Sequence, residues 1–393
     1  MSKLEQLINK LCPNGVEYKA VKDVATITRG RVISKNYINN NQGNFPVYSS
    51  QTENNGELGY ISTYDFDGEY LTWTTDGVNA GSVFYRTGKF SITNVCGLIK
   101  ISDTNILTRF LYFVLYVEAK KYVNYGMGNP KLMSNVMAKI KVPVPPLPIQ
   151  EDIVRILDKF TELSAELTAE LTARKQQYAY YRNDLLSKNT NKKSLKQIAL
   201  SSRSGGTPLK SNKDYYENGI IPWLRTQEVV FNEIDKTDCF ITELAVQKTS
   251  AKWIPANCVI VAISGASAGR CAINKIPLTT NQHCLAIEIN PDVALYKYVF
   301  YCVCNQYADL IAKKEGARGD LNSSRILSLE IPIPCPEDKK KSLAEQQRIV
   351  DILDRFDKLC NDINEGLPAE IKARQKQYEY YRDKLLTFKK KEA

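Results

Sequence analysis

One decapeptide occurs twice in this chain. QYAYYRNDLL, Gln177 to Leu186, returns as QYEYYRDKLL, Gln377 to Leu386. Upstream of each copy the likeness continues, with QEDIVRILDKF from Gln150 to Phe160 matching QQRIVDILDRF from Gln346 to Phe356. A whole segment is therefore repeated, which restricts the fold to an internally duplicated one. Gln150 to Gln346 is 196 positions and Arg174 to Arg374 is 200, so the second copy carries four more residues. Four residues are about one helical turn, an insertion that returns the same face inward as a coiled-coil stutter does. Apolar residues at Ile153, Leu157, Phe160, Leu163, Leu167, Leu171, Tyr178, Tyr181 and Leu185 recur at threes, fours and one seven, the spacing of a long amphipathic helix. The second copy repeats it from Ile349 to Leu385, with Gly366 and Pro368 predicting a kink. Each helix should run roughly 50–60 Å at 1.5 Å per residue. Such narrow stripes on helices so long predict that the two pack on each other.

Proline-punctuated segments precede both helices, KVPVPPLPIQ at Lys141 to Gln150 and EIPIPCPEDKK at Glu330 to Lys340, and mark boundaries because the residue before proline avoids helix. The remaining sequence repeats more faintly. VKDVA at Val21 resembles LKQIA at Leu195, GNFPVYS at Gly43 resembles GIIPWLR at Gly219, and SITNVCGLIKI at Ser91 resembles LTTNQHCLAIEI at Leu278. Short β-branched and aromatic runs such as TWTT, SVFY, CVIVAIS and CLAIEI are separated by Gly, Asn and Asp clusters, as strands and turns require. One helical stretch follows them in each half, from Leu107 and from Ala294. The expected plan is α+β: a domain at 1–147, a spacer helix at 148–188, a second similar domain at 189–342 and a second spacer helix at 343–391. If the helices run antiparallel, the halves are related by a pseudo-two-fold axis.

With 53 Lys plus Arg against 43 Asp plus Glu the net charge is +10. That favours an anionic partner, nucleic acid first, the alternative being a merely basic, solvated surface. No apolar run approaches the roughly 20 residues of a membrane span and no secretory leader is evident, so no membrane role and a cytoplasmic location are expected. The ten cysteines form no CxxC and His283 is the only histidine, so reduced thiols are expected and no metal site.

The ordered pairing of a proline run, an IVxILDxF segment and a QYxYYRxxLL end, twice over the whole chain, resembles the specificity subunit of type I restriction-modification enzymes. SGGTPLKS at Ser204 to Ser211 looks like that family's Gly-Thr-Pro lead into a target recognition domain, whereas the first half has RGRVISKN at Arg29 to Asn36 instead. The resemblance implies two target recognition domains, each reading one part of a bipartite, asymmetric double-stranded DNA site. It implies helices that space them and dock two modification (methyltransferase) subunits, with restriction (endonuclease/translocase) subunits joining for cleavage. Adenine methylation with S-adenosylmethionine would belong to those partners, leaving this chain with no catalytic residue and no cofactor of its own.

Base reading calls for Arg or Lys at guanine and Asn or Gln at adenine, with further basic or hydroxyl groups on phosphates. Loops of the first half offer Arg29, Arg31, Lys35, Gln51, Thr74, Asn79, Asn94 and Lys131; the second offers Arg203, Thr207, Lys210, Arg225, Gln227, Ser264, Arg270, Asn281, His283 and Arg318. The TTDGVNAGS loop (Thr74 to Ser82) and the AISGASAGR loop (Ala262 to Arg270) stand at corresponding places, and their glycines permit close backbone approach. YGMGNPKLM and EGARGDLNSS, before the proline runs, read as tight turns. Helical spacing puts Tyr178 and Tyr181 on the seam and turns Tyr180 elsewhere, so Tyr180, Arg182, Tyr380 and Arg382 are candidates for a partner subunit rather than for base stacking. No methyltransferase cofactor loop or NPPY segment is present, which argues against an enzyme. The rival reading is a coiled-coil interaction scaffold without DNA recognition, which salt-sensitive DNA affinity would exclude.

Overall fold

The computed structural model describes residues 3–126, 128–312 and 321–391. Its longer helices are α1 (Lys3–Leu11), α2 (Thr108–Glu118), α3 (Leu147–Ser187), α4 (Tyr296–Asn305), α5 (Lys339–Asn361) and α6 (Leu367–Leu386). The chain divides into two compact units, the first formed by Met1–Leu167 with Ile371–Ala393 and the second by Thr168–Glu370. Helix α3 thus gives its first half to one unit and its second half to the other.

The first unit is built on a six-stranded sheet of β1 (Ala25–Arg29), β2 (Phe45–Tyr48), β3 (Glu57–Ile61), β4 (Phe66–Thr74), β5 (Val83–Ile92) and β6 (Cys96–Ile101), in the order β1-β6-β4-β5-β2-β3. All neighbours are antiparallel except β5 and β2. Period-two alternation sorts β4 between two cores. Leu71 and Trp73 pack with Val83, Ile99 and the apolar face of α2, while Tyr70 joins Phe90, Ile92 and Leu98 on the other face. Phe110, Leu111 and Leu115 of α2 have no exposed surface, and burying each such side chain is worth about 1.5–3 kcal/mol.

The second unit contains β7 (Ala199–Ser204), β8 (Ile221–Leu224), β9 (Glu233–Ile234), β10 (Phe240–Ile241), β11 (Val259–Ala262), β12 (Cys271–Asn274), β13 (Thr279–Thr280) and β14 (Cys284–Ile289). They form sheets of order β7-β14-β11-β12-β9 and β10-β8-β13. Registers repeat those of the first unit. Leu71 pairs with Tyr85 and Ile99, as Val259 pairs with Ile273 and Ile287; Thr74 opposes Cys96, as Ala262 opposes Cys284. Tyr48 lies beside Ile92 in parallel register, as Leu224 lies beside Thr280.

Each unit is closed by one motif from each helical copy. In the first, Phe160 of α3 stacks on Tyr381 of α6 at 5.7 Å and lies 6.4 Å from Tyr378. In the second, Phe356 of α5 stacks on Tyr178 and Tyr181 of α3 at 5.9 and 5.7 Å. The repeated glutamines have matching tasks: Gln150 Oε1 accepts the Leu107 N–H at 2.9 Å, and Gln346 Oε1 accepts the Leu295 N–H at 2.9 Å. Both side chains are fully buried and satisfy donors that the first turns of α2 and α4 leave open. The motif aspartates repeat a third contact, Arg109–Asp158 at 2.6 Å and Lys297–Asp354 at 2.9 Å.

The second helical copy is not one rod. It stops at Asn361 and restarts at Leu367, so the extra residues form a turn instead of a stutter. Asp362 Oδ1 accepts from the Asn364 and Glu365 N–H groups at 2.7 and 3.1 Å. A Cβ on Gly366 would lie 2.4 Å from the Lys358 carbonyl, which leaves room for glycine alone. Among the described residues no helix is long and apolar enough to cross a membrane, and no group of three or more His, Cys, Asp or Glu could hold a metal ion. All ten cysteines are free thiols.

Candidate nucleic-acid interface

The two loops matched by sequence are the same hairpin. In the first unit Thr74 N donates to Ser82 O at 2.9 Å, Gly81 N to Thr74 O at 2.9 Å and Ala80 N to Gly77 O at 2.9 Å. In the second, Ala262 N donates to Arg270 O at 2.9 Å, Gly269 N to Ala262 O at 2.8 Å and Ala268 N to Gly265 O at 3.1 Å. Gly77 and Gly265 have φ of +100° and +72°, Gly81 and Gly269 of +81° and +88°, conformations that glycine adopts without steric cost. A Cβ at Gly77 or Gly265 would meet nothing within 4 Å, so the hairpin tips are open. At Gly81 it would come within 2.7 Å of Val123.

Around the first hairpin the backbone draws other loops together. Leu132 N donates to Thr75 O, Thr75 N to Val95 O, Gly30 N to Cys96 O and Thr93 N to Tyr48 O. Asn79 Nδ2 reaches Ser50 O at 3.4 Å. Asn79, Asn94, Gln51 and Lys131 therefore lie on loops joined by these bonds, with Arg29 at the end of β1 beside Gly30 and Lys131 bridged to Asp76 and Asn124. Arg31 is engaged on its own side, its Nε donating to both Asp65 carboxylate oxygens at 3.1 and 3.0 Å and its guanidinium over the Tyr37 ring at 5.2 Å. Gln51 donates its amide to the Glu57 carbonyl. Lys35 is exposed at the start of the Lys35–Asn40 helix. Thr74 requires correction: it is fully buried, because its side chain points into the sheet interior, so its hydroxyl is not presented to a ligand.

In the second unit the hairpin is flanked by the 280–283 turn and the Gly205–Gly206 lead-in. Gly206 N donates to Thr280 O at 2.9 Å and Asn281 N to Leu224 O at 3.1 Å. A Cβ on Gly205 would sit 1.9 Å from the Thr280 carbonyl, which explains glycine there. Gly30, preceding Arg31, meets the same restriction against Ile92 O at 2.2 Å, so RGRVISKN keeps one of the two glycines of SGGTPLKS. Thr207 hydrogen-bonds Gln282, and Trp223 Nε1 donates to Gly206 O at 3.1 Å. Ser264 precedes the Gly265–Ser267 turn, Arg270 closes the hairpin and is partly exposed, and His283 is exposed. Arg225 approaches Glu228 at 3.7 Å and Asp238 at 3.9 Å, with the Gln227 amide oxygen in reach of its guanidinium. Arg203 turns back to Ser201 and Glu288; Lys210 is exposed on the loop after Pro208. Asn281 also requires correction: it is 8% exposed and its Oδ1 accepts from His283 N at 3.0 Å, so it forms the turn. Arg318 lies outside the described residues.

On the helices, Tyr180 and Tyr380 are 68% and 64% exposed. Arg182 and Arg382 are turned inward, against expectation. Arg182 donates to Asn305 at 3.2 Å and lies over Tyr178; Arg382 pairs with Asp383 at 2.8 Å and lies over Tyr378. Desolvation pushes the Tyr378 hydroxyl up to about 12 and the Tyr178 hydroxyl higher still, so both stay neutral and suit a seam. In the first unit α1, α3 and α6 also line an apolar groove of about 500 Å³, between Leu4, Ile8, Ile156, Phe160, Tyr381 and Leu385. Sequence reasoning missed Arg86, which is 2% exposed under the Ser49–Gly56 loop. It also missed Trp73, whose Nε1 donates to Leu132 O at 2.9 Å and ties the Lys131 segment to the sheet.

Two units with matching registers and matching open hairpins, flanked by different side chains, define a recognition protein written twice. A family model described as the type I restriction modification DNA specificity domain matches residues 13–174 and again 187–373, and the chain belongs to that family. The specificity subunit of the type I restriction enzyme EcoR124I/EcoR124II of Escherichia coli is 38% identical over 303 residues, 74% of this chain and 73% of that subunit. The Mycoplasma pneumoniae chain named as type I specificity subunit S.MpnORF507P is 35% identical over 377 residues, 93% of this chain and 96% of that one. Among solved structures, the S subunit of a type I restriction-modification system from M. genitalium superposes with a TM-score of 0.59 at 14% identity, covering 95% of this chain and 96% of that chain. A chain from a structure of type I R-M complex assembly and conformational transition gives 0.63 at 12% identity, with 95% and 98% covered. These two likenesses support the fold. Membership makes this chain the non-catalytic DNA-specificity component of such a system.

Proposed function

We propose that each unit reads one part of a bipartite, asymmetric duplex site with its hairpin and the loops bonded to it. Two modification (methyltransferase) subunits would dock on the helices around Tyr180 and Tyr380, and restriction (endonuclease/translocase) subunits would join through them. The observation that carries this reading is the pair of hairpins with one backbone and two sets of side chains: equal scaffolds deliver unlike reading groups, as a two-part asymmetric sequence needs. Arg29, Gln51, Asn79, Asn94 and Lys131 in the first unit, and Thr207, Ser264, Arg270 and His283 in the second, are the proposed contacts. S-adenosylmethionine would be bound by the methyltransferase subunits, with no cofactor held here.

The test is selection of a randomised duplex library by the full chain assembled with those subunits, with affinity then measured against salt. The expected result is a two-part consensus whose affinity falls steeply with salt as phosphate contacts release counterions. Duplex affinity that ignores both sequence and salt would return the chain to the class of a coiled-coil interaction scaffold.

A further inference from the structure

Arg86 is a buried arginine without an acid. It pairs across the sheet with Tyr70 and is 2% exposed, yet no carboxylate forms an ion pair with it among the described residues. Nε donates to Thr72 Oγ1 at 3.2 Å and Nη2 to the Asn55 carbonyl at 2.7 Å. Its guanidinium lies over Tyr48 at 3.6 Å and Phe84 at 4.6 Å. Burial lowers its pKa, but a guanidinium stays charged at neutral pH. Burying a charge is costly unless it is paired, so what it holds must matter.

It holds the Ser49–Gly56 loop. Asn54, Asn55 and Gly56 have φ of +46°, +56° and +82°, three successive left-handed residues of which two are not glycine. Arg86 grips the second of them by its carbonyl, and Ser49 N donates to Gly56 O at 2.9 Å. The loop carries Gln51 and touches the hairpin through Ser50 and Asn79.

The second unit dispenses with this device. Asn274 occupies the register position of Arg86, Ile260 that of Thr72 and Leu224 that of Tyr48. Asn274 is bonded elsewhere, to Pro255, Ile276 and Cys258. The loop after Leu224 is fixed from within, by Glu228 accepting from Arg225 N and Asp238 N. The sheet therefore folds without the arginine, and the cluster belongs to one recognition unit only.

We infer that Arg86 is a positioning residue for sequence specificity: it fixes the Ser49–Gly56 loop so that Gln51 and its neighbours meet base edges in one half of the target. This rests on the DNA-reading function proposed above. Arg86→Met keeps the volume and removes both hydrogen bonds. In library selection with the assembled full chain, preference in the half-site read by the first unit should drop about ten-fold or more, the scale of one lost base contact. The other half-site and the salt slope should stay unchanged. Gly56→Ala, which puts a methyl on a left-handed residue 3.1 Å from the Gln51 carbonyl and 3.2 Å from Arg86 Nη2, should reproduce the loss from the loop side of the contact, and Gln51→Ala should make Arg86→Met almost silent. Equal loss in both half-sites, unchanged preference in the Arg86→Met and Gly56→Ala variants, or a salt slope lowered by about one phosphate would each overturn the inference. A wild-type assembly without any half-site preference would instead overturn the DNA-reading function beneath it.

Discussion

Phe356 is the best place to test how the repeated helical motifs work. Its ring stacks with Tyr178 at 5.9 Å and 14° and with Tyr181 at 5.7 Å and 26°, and it packs half-buried against the core of the second unit. A fully buried Phe→Ala change costs about 3–5 kcal/mol. Half burial reduces that to about 2, and two ring pairs add about 0.5–1.5 each, giving about 3–5 kcal/mol for Phe356→Ala by denaturant unfolding of the full chain. Double-mutant cycles give the sharper result. Phe356→Leu with Tyr178→Leu should show coupling of about 0.5–1.5 kcal/mol, and Phe160→Leu with Tyr378→Leu the same. Phe160 with Tyr178, about five turns apart on α3, should be additive. Coupling absent from both matched pairs, or equally large in the mismatched one, would refute the claim that each unit is closed by motifs from different copies.

Two further outcomes follow from the same contacts. Burial, then Asp354, raises the Asp357 carboxyl pKa against the opposing pull of Asn361 and Lys297. A raised folded-state value makes its contribution most favourable below the ordinary carboxylate value of about 3.9 and loses that contribution as pH rises through the folded pKa. Asp357→Asn should therefore raise the unfolding midpoint at neutral pH, by an amount that shrinks as pH falls to about 4; an equal shift at both pH values would contradict the burial argument. A fragment of residues 1–190 keeps Phe160 and Tyr178 but lacks the Tyr378 and Tyr381 that cover Phe160. It should self-associate by exchanging motifs, and a monomer in sedimentation would count against that exchange.

The repeat, the α+β class and the equivalence of the two hairpins were legible because each is written in spacing: threes and fours for the helices, and glycines at matching places for the turns. Depth was not legible. Thr74 and Asn281 are short polar residues at strand ends, where the chain gives no sign of which way the side chain points; both point inward. Arg86 was passed over for the opposite reason. In FYRTGKF it stands in a stretch with Thr87, Gly88 and Lys89 and reads as a surface cation, whereas strand alternation places it on the inner face with Tyr70, Thr72 and Tyr48 around it. The break after Asn361 was announced by Gly366 and Pro368, but its form depends on Asp362 capping the turn, a contact set by three-dimensional proximity.

The scaffold also explains how two halves can diverge in what they read while sharing a frame. Residues that hold the frame face inward in both units: Gln150 and Gln346 on the helix starts, Phe160 and Phe356 on the tyrosines, Gly81 and Gly269 under the hairpins. Residues between the hairpin glycines are freer. Val78 is 91% exposed and Gly77 and Gly265 face open space, so exchanging a side chain such as Val78 at a tip removes few packing contacts, and such surface changes usually stay within about 0.5 kcal/mol of stability. A wrong base contact, by comparison, is worth about 1–3 kcal/mol of discrimination. With the base contacts proposed for the hairpins, changes at the tip would alter binding preference far more than they alter folding, and the tips are where the two units would differ most in the sequence they select.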